Sequence, residues 1–211
     1  MHIPDGFLSI PIWGILWLVT IGVVGYAVQQ TDQRLSEKAV PLMGVLSAFI
    51  FAGQMLNVPV ATGTSSHMLG GVLAAVFLGP WTATIIMASV FTVQCVLFQD
   101  GGLLALGANI VNMGLICTIL GYYIFRAVES VVGGRNGLLA GSAVAAWLAV
   151  VIASAATAVE LAASGTSPLN IVLPAMVGVH AIIGVVEAAV TVAVIGFVMR
   201  TRPDLLELER V

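Results

Sequence analysis

The sequence predicts an all-α, polytopic membrane bundle of seven transmembrane helices, with the N-terminus outside and the C-terminus in the cytoplasm. Composition is the first observation behind this. Of the 211 residues 60% are hydrophobic and 8% charged, and the mean hydropathy is +1.11. A soluble domain of this size has no use for so much apolar surface. The second observation is a series of long apolar runs broken by short polar stretches. The third is the placement of the cations, which fixes how many times the chain crosses. The net charge of -3 identifies no partner, and seven Lys plus Arg forming no basic face give nothing for nucleic acid to bind. Cys95 and Cys117 fall in apolar runs and read as packing residues.

The elements follow in order. The first span covers about residues 7–28 and leads into the polar stretch 29–38. The second covers about 39–56. Residues 57–67, rich in turn formers and hydroxyls, make an inserted loop. The apolar region 68–98 carries Gly79-Pro80, a pair suited to ending one helix and starting another. After a break at Gln99-Asp100-Gly101-Gly102 come spans at about 103–125, 138–163 and 173–199. All 211 residues read as one domain.

Arg34 and Lys38 follow the first span, and Arg126 and Arg135 lie in a later loop, so an even number of crossings separates the two loops. Spans 39–56 and 103–125 supply two. A hinge at Gly79-Pro80 makes 68–98 supply two more. From His67 to Gly79 a helix reaches only ~20 Å at ~1.5 Å per residue, short of the ~30 Å hydrocarbon core. The loop before it is therefore expected to dip into the protein, where irregular backbone at membrane depth is tolerated. That puts His67 at the head of a short helix, at the bottom of an outward-facing pocket.

The chemistry is concentrated at the start, Met1-His2-Ile3-Pro4-Asp5-Gly6-Phe7. A free amine one residue before a histidine is a chelator. The amine, the deprotonated His2 amide nitrogen and His2 Nδ1 close two fused rings in one plane and leave a fourth corner open. Flat nitrogen coordination favours Ni(II) or Cu(II) over tetrahedral Zn. The alternative is an ordinary start followed by a chance histidine. No Lys or Arg precedes the first apolar run, so the start does not read as a cleavable signal, and bulky His2 favours retention of Met1. Asp5-Gly6 suggests a turn folding the terminus back as a plug.

His67 is the candidate for the open corner, with Thr64, Ser65 and Ser66 beside it as supporting hydroxyls; the alternative is a loop residue touching nothing. His180 and Glu187 are seven apart, hence on one helical face. They form either a buried pair, the preferred reading, or a support in which His180 stands behind the metal. Asn109, Asn112 and Gln94 make a polar stripe that glues helices or orients a ligand. Glu160, near an outer helix end, reads as solvated. Lys38 is the only lysine and no phosphate-cradling loop surrounds it, so the chain does not bind ATP in that way. Gly44, Ala48 and Ala52 form a small-residue row that either docks a partner or packs helices internally.

Four stretches together resemble the CbiM/NikM family of cobalt and nickel transporters. They are Met-His-Ile-Pro-Asp-Gly-Phe-Leu at the start, Gly63-Thr64-Ser65-Ser66-His67-Met68-Leu69-Gly70-Gly71, Gly107-Ala108-Asn109-Ile110-Val111-Asn112-Met113-Gly114, and His180-Ala181-Ile182-Ile183-Gly184-Val185-Val186-Glu187-Ala188. The resemblance implies a substrate-binding (S) component of an energy-coupling-factor transporter, not an enzyme, in a prokaryotic cytoplasmic membrane. It implies a nickel or cobalt ion as cargo, bound through Met1, His2 and His67. It also implies a transmembrane coupling subunit, ABC-type ATPase subunits and room for a small accessory membrane subunit. Two rivals stand beside this: an intramembrane metalloenzyme using His67, His180 and Glu187, and a vitamin-binding membrane subunit with incidental histidines.

Overall fold

The computed structural model describes residues 1–34, 39–56, 58–59 and 65–206. In chain order these form α1 (Ile10–Arg34), α2 (Ala39–Gln54), the two-residue strands β1 (Val58–Pro59) and β2 (Ser65–Ser66), and α3 (Gly71–Phe98). There follow α4 (Leu106–Asn109), a π-helix (Ile110–Leu120), α5 (Gly121–Val132), α6 (Gly134–Ala163), α7 (Leu169–Thr201) and a 3-10 turn at Pro203–Leu206. The strands pair antiparallel, Val58 opposite Ser66. Helix is otherwise the rule, as expected where water is absent and each backbone group must be satisfied within its own segment.

Among the described residues five helices are long and apolar enough to cross a membrane, and α2 is a shorter apolar helix. The protein is a multi-pass membrane protein. α4, the π stretch and α5 run on as one 27-residue rod, Leu106–Val132. Exposed side chains on α1 and α7 such as Ile10, Leu18, Ile21, Ile182 and Phe197 are large and apolar, the surface a lipid solvent requires.

α3 is the core of the bundle, and it turns back on itself. Gly71 packs so closely on the π-helix that a Cβ there would lie 2.6 Å from Cys117 Cβ. Thr84 Oγ1 lies 2.7 Å from Thr118 Oγ1. A straight helix would separate residues 71 and 84 by ~20 Å, yet both meet neighbouring residues of the same rod. The reversal is at Gly79, with φ 77 and ψ 166, followed by Pro80. That backbone conformation is open essentially to glycine alone, and Pro80 is suited to the first turn of the helix that follows. The hinge read from Gly79-Pro80 is thus present.

Other boundaries move. α1 continues through the first polar residues after position 28, and α4 starts later than residue 103. α3 starts at Gly71, so His67 does not head a helix; residues 67–70 are irregular. Gly70 takes the left-handed conformation (φ 79), and the Leu69 and Gly70 N–H groups are held by a side chain of α7, described below. The expected dip of residues 57–66 falls largely outside the described residues.

Gly79→Ala is expected to cost about 1–3 kcal/mol, because a Cβ opposes the hinge conformation. Thermal unfolding of the detergent-solubilised variant against wild type measures the loss.

Candidate metal centre

The first residues of the chain are buried: Met1 is 1%, His2 4% and Ile3 0% exposed. Main chain and side chains from the far side of the sequence hold them. Ile3 N–H donates to Asn109 Oδ1 at 2.8 Å, and Asn109 Nδ2 donates back to Ile3 O at 3.2 Å. Gly102 N–H donates to the same carbonyl at 2.9 Å. Asn109 therefore treats Ile3 as a strand neighbour would.

Asp5 makes the second clamp. Its carboxylate accepts the N–H groups of Leu103, Leu104 and Ala105 at 3.0, 2.8 and 3.2 Å, groups just before α4 that have no partner within a helix. Gly6 (φ 86) completes the expected turn, and the Thr166 hydroxyl donates to Phe7 O. Gly102 has no room for a side chain, since a Cβ there would lie 2.1 Å from Asp5 Oδ1.

This seating brings imidazoles together. The His2 and His67 rings lie 4.7 Å apart between centroids, and Phe91 stands edge-on to His2 at 5.6 Å. His67 Nδ1 donates to Met68 O at 2.7 Å, which fixes the tautomer and leaves Nε2 as a buried lone pair without a hydrogen-bond partner. A buried polar atom left so costs about 1–3 kcal/mol, unless a cation takes it. His180 behaves alike: Nδ1 bonds Met176 O at 2.7 Å, and Nε2 is buried without a partner. The terminal amine lies within electrostatic reach of both rings. Among the described residues no three His, Cys, Asp or Glu side chains form a metal site by themselves.

Burial, opposed by the nearby Asp100 carboxylate, pushes the Met1 amine down from 8.0 to about 5. The amine is therefore neutral at pH 7, its lone pair ready. Burial likewise lowers His2 from its ordinary value, against the pull of the Asp100 carboxylate beside it, which favours the neutral ring. His2 Nδ1 lies 2.7 Å from Asp100 Oδ1, in an off-line geometry that satisfies no hydrogen bond.

The supporting residues divide differently from the sequence reading. Glu187 does not pair with His180. Its two oxygens accept the Leu69 and Gly70 N–H groups at 2.8 and 2.7 Å, anchoring the backbone two residues beyond His67. Gln54 Nε2 donates to Leu69 O at 2.6 Å, and Gln94 Nε2 donates to Gln54 Oε1 at 2.8 Å. Gln54 carries this bridge and went unremarked in the sequence, where it is one polar residue at a helix end. Gln94, Asn109 and Asn112 do not form one stripe: Asn112 Nδ2 donates to Glu160 Oε2 at 2.6 Å. Glu160 is thus held by the bundle and not simply solvated. The side chains of Ser65 and Ser66, and all of Thr64, lie outside the described residues.

A bundle of apolar helices that buries a clamped amine beside two imidazoles with unpartnered nitrogens offers donors of the kind that suit a transition-metal ion. Residues 2–205 match the model of the cobalt uptake substrate-specific transmembrane region, CbiM, and the chain belongs to that family. It is 39% identical over 209 residues to an Archaeoglobus fulgidus protein bearing the name of a fused nickel transport protein, NikMN, covering 98% of this chain and 68% of that one. It is 34% identical to the cobalt transport protein CbiM of Geobacter sulfurreducens, covering 98% of this chain and 61% of that one. A crystal structure described as a truncated transition metal transporter superposes with a TM-score of 0.88 at 34% identity, covering 95% of this chain and 99% of that one. The chain is a cobalt/nickel transport membrane protein of the CbiM/NikM type, and not an enzyme.

Two outcomes test the site's construction. Gly102→Ala is expected to unseat the N-terminus and reduce Ni(II) binding at least about tenfold, while circular dichroism keeps its helical signal. The depressed amine also carries a sign. Folding releases a proton between the unfolded value of 8.0 and the folded value of about 5, so this group's contribution to stability is present above pH 8 and is lost as pH falls towards 5. Reductive 13C-methylation reports the amine directly by NMR, with the single Lys38 as internal control; the terminal resonance is expected to titrate near 5.

Proposed function

We propose that the protein is the substrate-binding component of an energy-coupling-factor transporter that captures Ni(II), or second Co(II), from outside a prokaryotic cytoplasmic membrane for ATP-driven uptake. One observation carries this reading: the buried, clamped terminus brings a neutral amine and His2 against His67, whose Nε2 has no other partner. The ligands are the Met1 amine, the His2 main-chain nitrogen, His2 Nδ1 and His67 Nε2, a flat set of four nitrogens suited to Ni(II). The cation itself displaces the His2 amide proton. Glu187, Gln54 and Gln94 hold the backbone after His67, and Asn109 holds Ile3, so both arms of the site are fixed before the ion arrives. His180 stands behind them as a support. Cu(II) fits the same ligands, and supply in the cell excludes it.

Seven crossings follow if the two halves of α3, hinged at Gly79, each count as one. With the N-terminus outside, Arg126 and Arg135 line one cavity with Met199, which supports a shared cytoplasmic side. The chain has no phosphate-cradling loop, so ATP is hydrolysed by ABC-type ATPase partners, reached through a transmembrane coupling subunit. Gly44, Ala48 and Ala52 are exposed, and nothing lies within 4 Å of a Cβ built at Gly44. That supports docking of the coupling subunit on α2 over packing within the bundle.

Adding one alanine before Met1 moves the amine out of the chelate. Binding of Ni(II), followed by its absorption, is expected to fall at least about a hundredfold, as for His67→Ala. Binding unchanged in both would remove the nitrogen site. The double variant Ala48→Trp, Ala52→Trp is expected to bind Ni(II) normally in detergent and to lose uptake in cells producing the whole transporter.

A further inference from the structure

The nitrogen site is buried, neutral and closed by the N-terminal plug, which leaves open how a hydrated dication reaches it. Neutral nitrogens exert little pull on a cation at a distance, whereas a carboxylate does. Asp5 is spent on three backbone N–H groups. Asp100 is placed otherwise. Its side chain is 23% exposed against 3% for His2, so it touches both the outside and the site. The backbone fixes it there: Gln99 before it is left-handed (φ 55), Asp100 N–H donates to Gln94 O at 3.1 Å, and Gly101 after it has φ 93. Burial pushes the Asp100 carboxyl up, but the His2 contact and the terminal amine outweigh it and leave it below its ordinary value.

His2 Nδ1 is the nitrogen the chelate needs, and it faces Asp100 at 2.7 Å without a well-formed hydrogen bond. A weak, fast-exchanging oxygen ligand is therefore in contact with a member of the tight nitrogen set, at the point where the site meets solvent. Oxygen donors hold late first-row dications less firmly than nitrogen donors do, so transfer from the one to the other runs downhill.

We infer that Asp100 is the receiving ligand of the metal site: it takes the divalent cation at the mouth and passes it to the nitrogens as His2 Nδ1 exchanges the carboxylate for the ion. The inference rests on the nitrogen-site reading above. It makes Asp100 a determinant of the rate of capture and not of the final affinity.

Stopped-flow mixing of Ni(II) with the detergent-solubilised full chain separates the two. Asp100→Asn keeps the shape and an oxygen facing His2 but removes the charge. Its association rate is expected to fall about tenfold with dissociation unchanged, and added salt is expected to slow wild type and not the variant. Asp100→Glu is expected to retain most of the rate. An unchanged association rate in Asp100→Asn, or faster dissociation alone, overturns the inference and marks a purely structural carboxylate. Should Asp100→Asn not fold, a wild-type association rate indifferent to salt overturns it as well. His67→Ala is run alongside: normal binding there means the nitrogen site is wrong, whatever Asp100 does.

Discussion

Keeping a chain terminus inside a membrane protein is the constraint on which this structure depends. An amine in water is charged and well solvated; moved into the bundle it loses both advantages, and here it becomes neutral near physiological pH. The segment stays because its backbone is satisfied as fully as a strand would be. Asn109 and Gly102 meet both polar groups of Ile3, and Asp5 answers three donors before α4. Glycines at 101 and 102 follow from that closeness, since side chains there would occupy the space of Asn109 and Asp5. Burying the amine also changes its chemistry: without its proton it has a lone pair to give.

The second arm is built on the same logic from the other side. His67 sits in an irregular stretch, which in lipid would strand its backbone polar groups. Glu187 of α7 takes the N–H groups of Leu69 and Gly70, and Gln54 of α2 takes the Leu69 carbonyl, itself braced by Gln94 of α3. Three helices thus hold a few residues of loop. Among the described residues, four of the seven buried side-chain polar atoms without partners are imidazole nitrogens, of His2, His67 and His180, and the His2 and His67 rings lie side by side.

Much of this was legible in the sequence, for identifiable reasons. Apolar runs separated by polar loops reveal membrane helices because lipid punishes exceptions, and Gly79-Pro80 marked the reversal of α3 because few other residues tolerate that backbone. Met1, His2 and His67 could be proposed as a metal site because their chemistry is local to each residue, and the structure brings the His2 and His67 rings together. The supporting contacts were not. Spacing puts His180 and Glu187 on one face of α7, yet Glu187 reaches across to a loop 117 residues away, and only the packing of α7 against that loop decides it. Glu160 looked solvated because its partner, Asn112, lies on the neighbouring rod. The π-helical stretch from Ile110 to Leu120 carries no composition that distinguishes it from an ordinary helix. Asp100 drew no notice, since in a loop after a helix a lone aspartate is commonplace; its meaning comes from the ring it faces.

The central claim is that four nitrogens, two of them from the first two residues' main chain, hold the cargo in a plane. X-ray absorption at the nickel edge of the Ni(II)-loaded protein tests this most directly. The account predicts the edge feature of square-planar nickel, a shell of nitrogen neighbours only, and outer scattering from two imidazole rings. Six-coordinate nickel with oxygen neighbours, or scattering from three rings with no contribution from main-chain nitrogen, would contradict it.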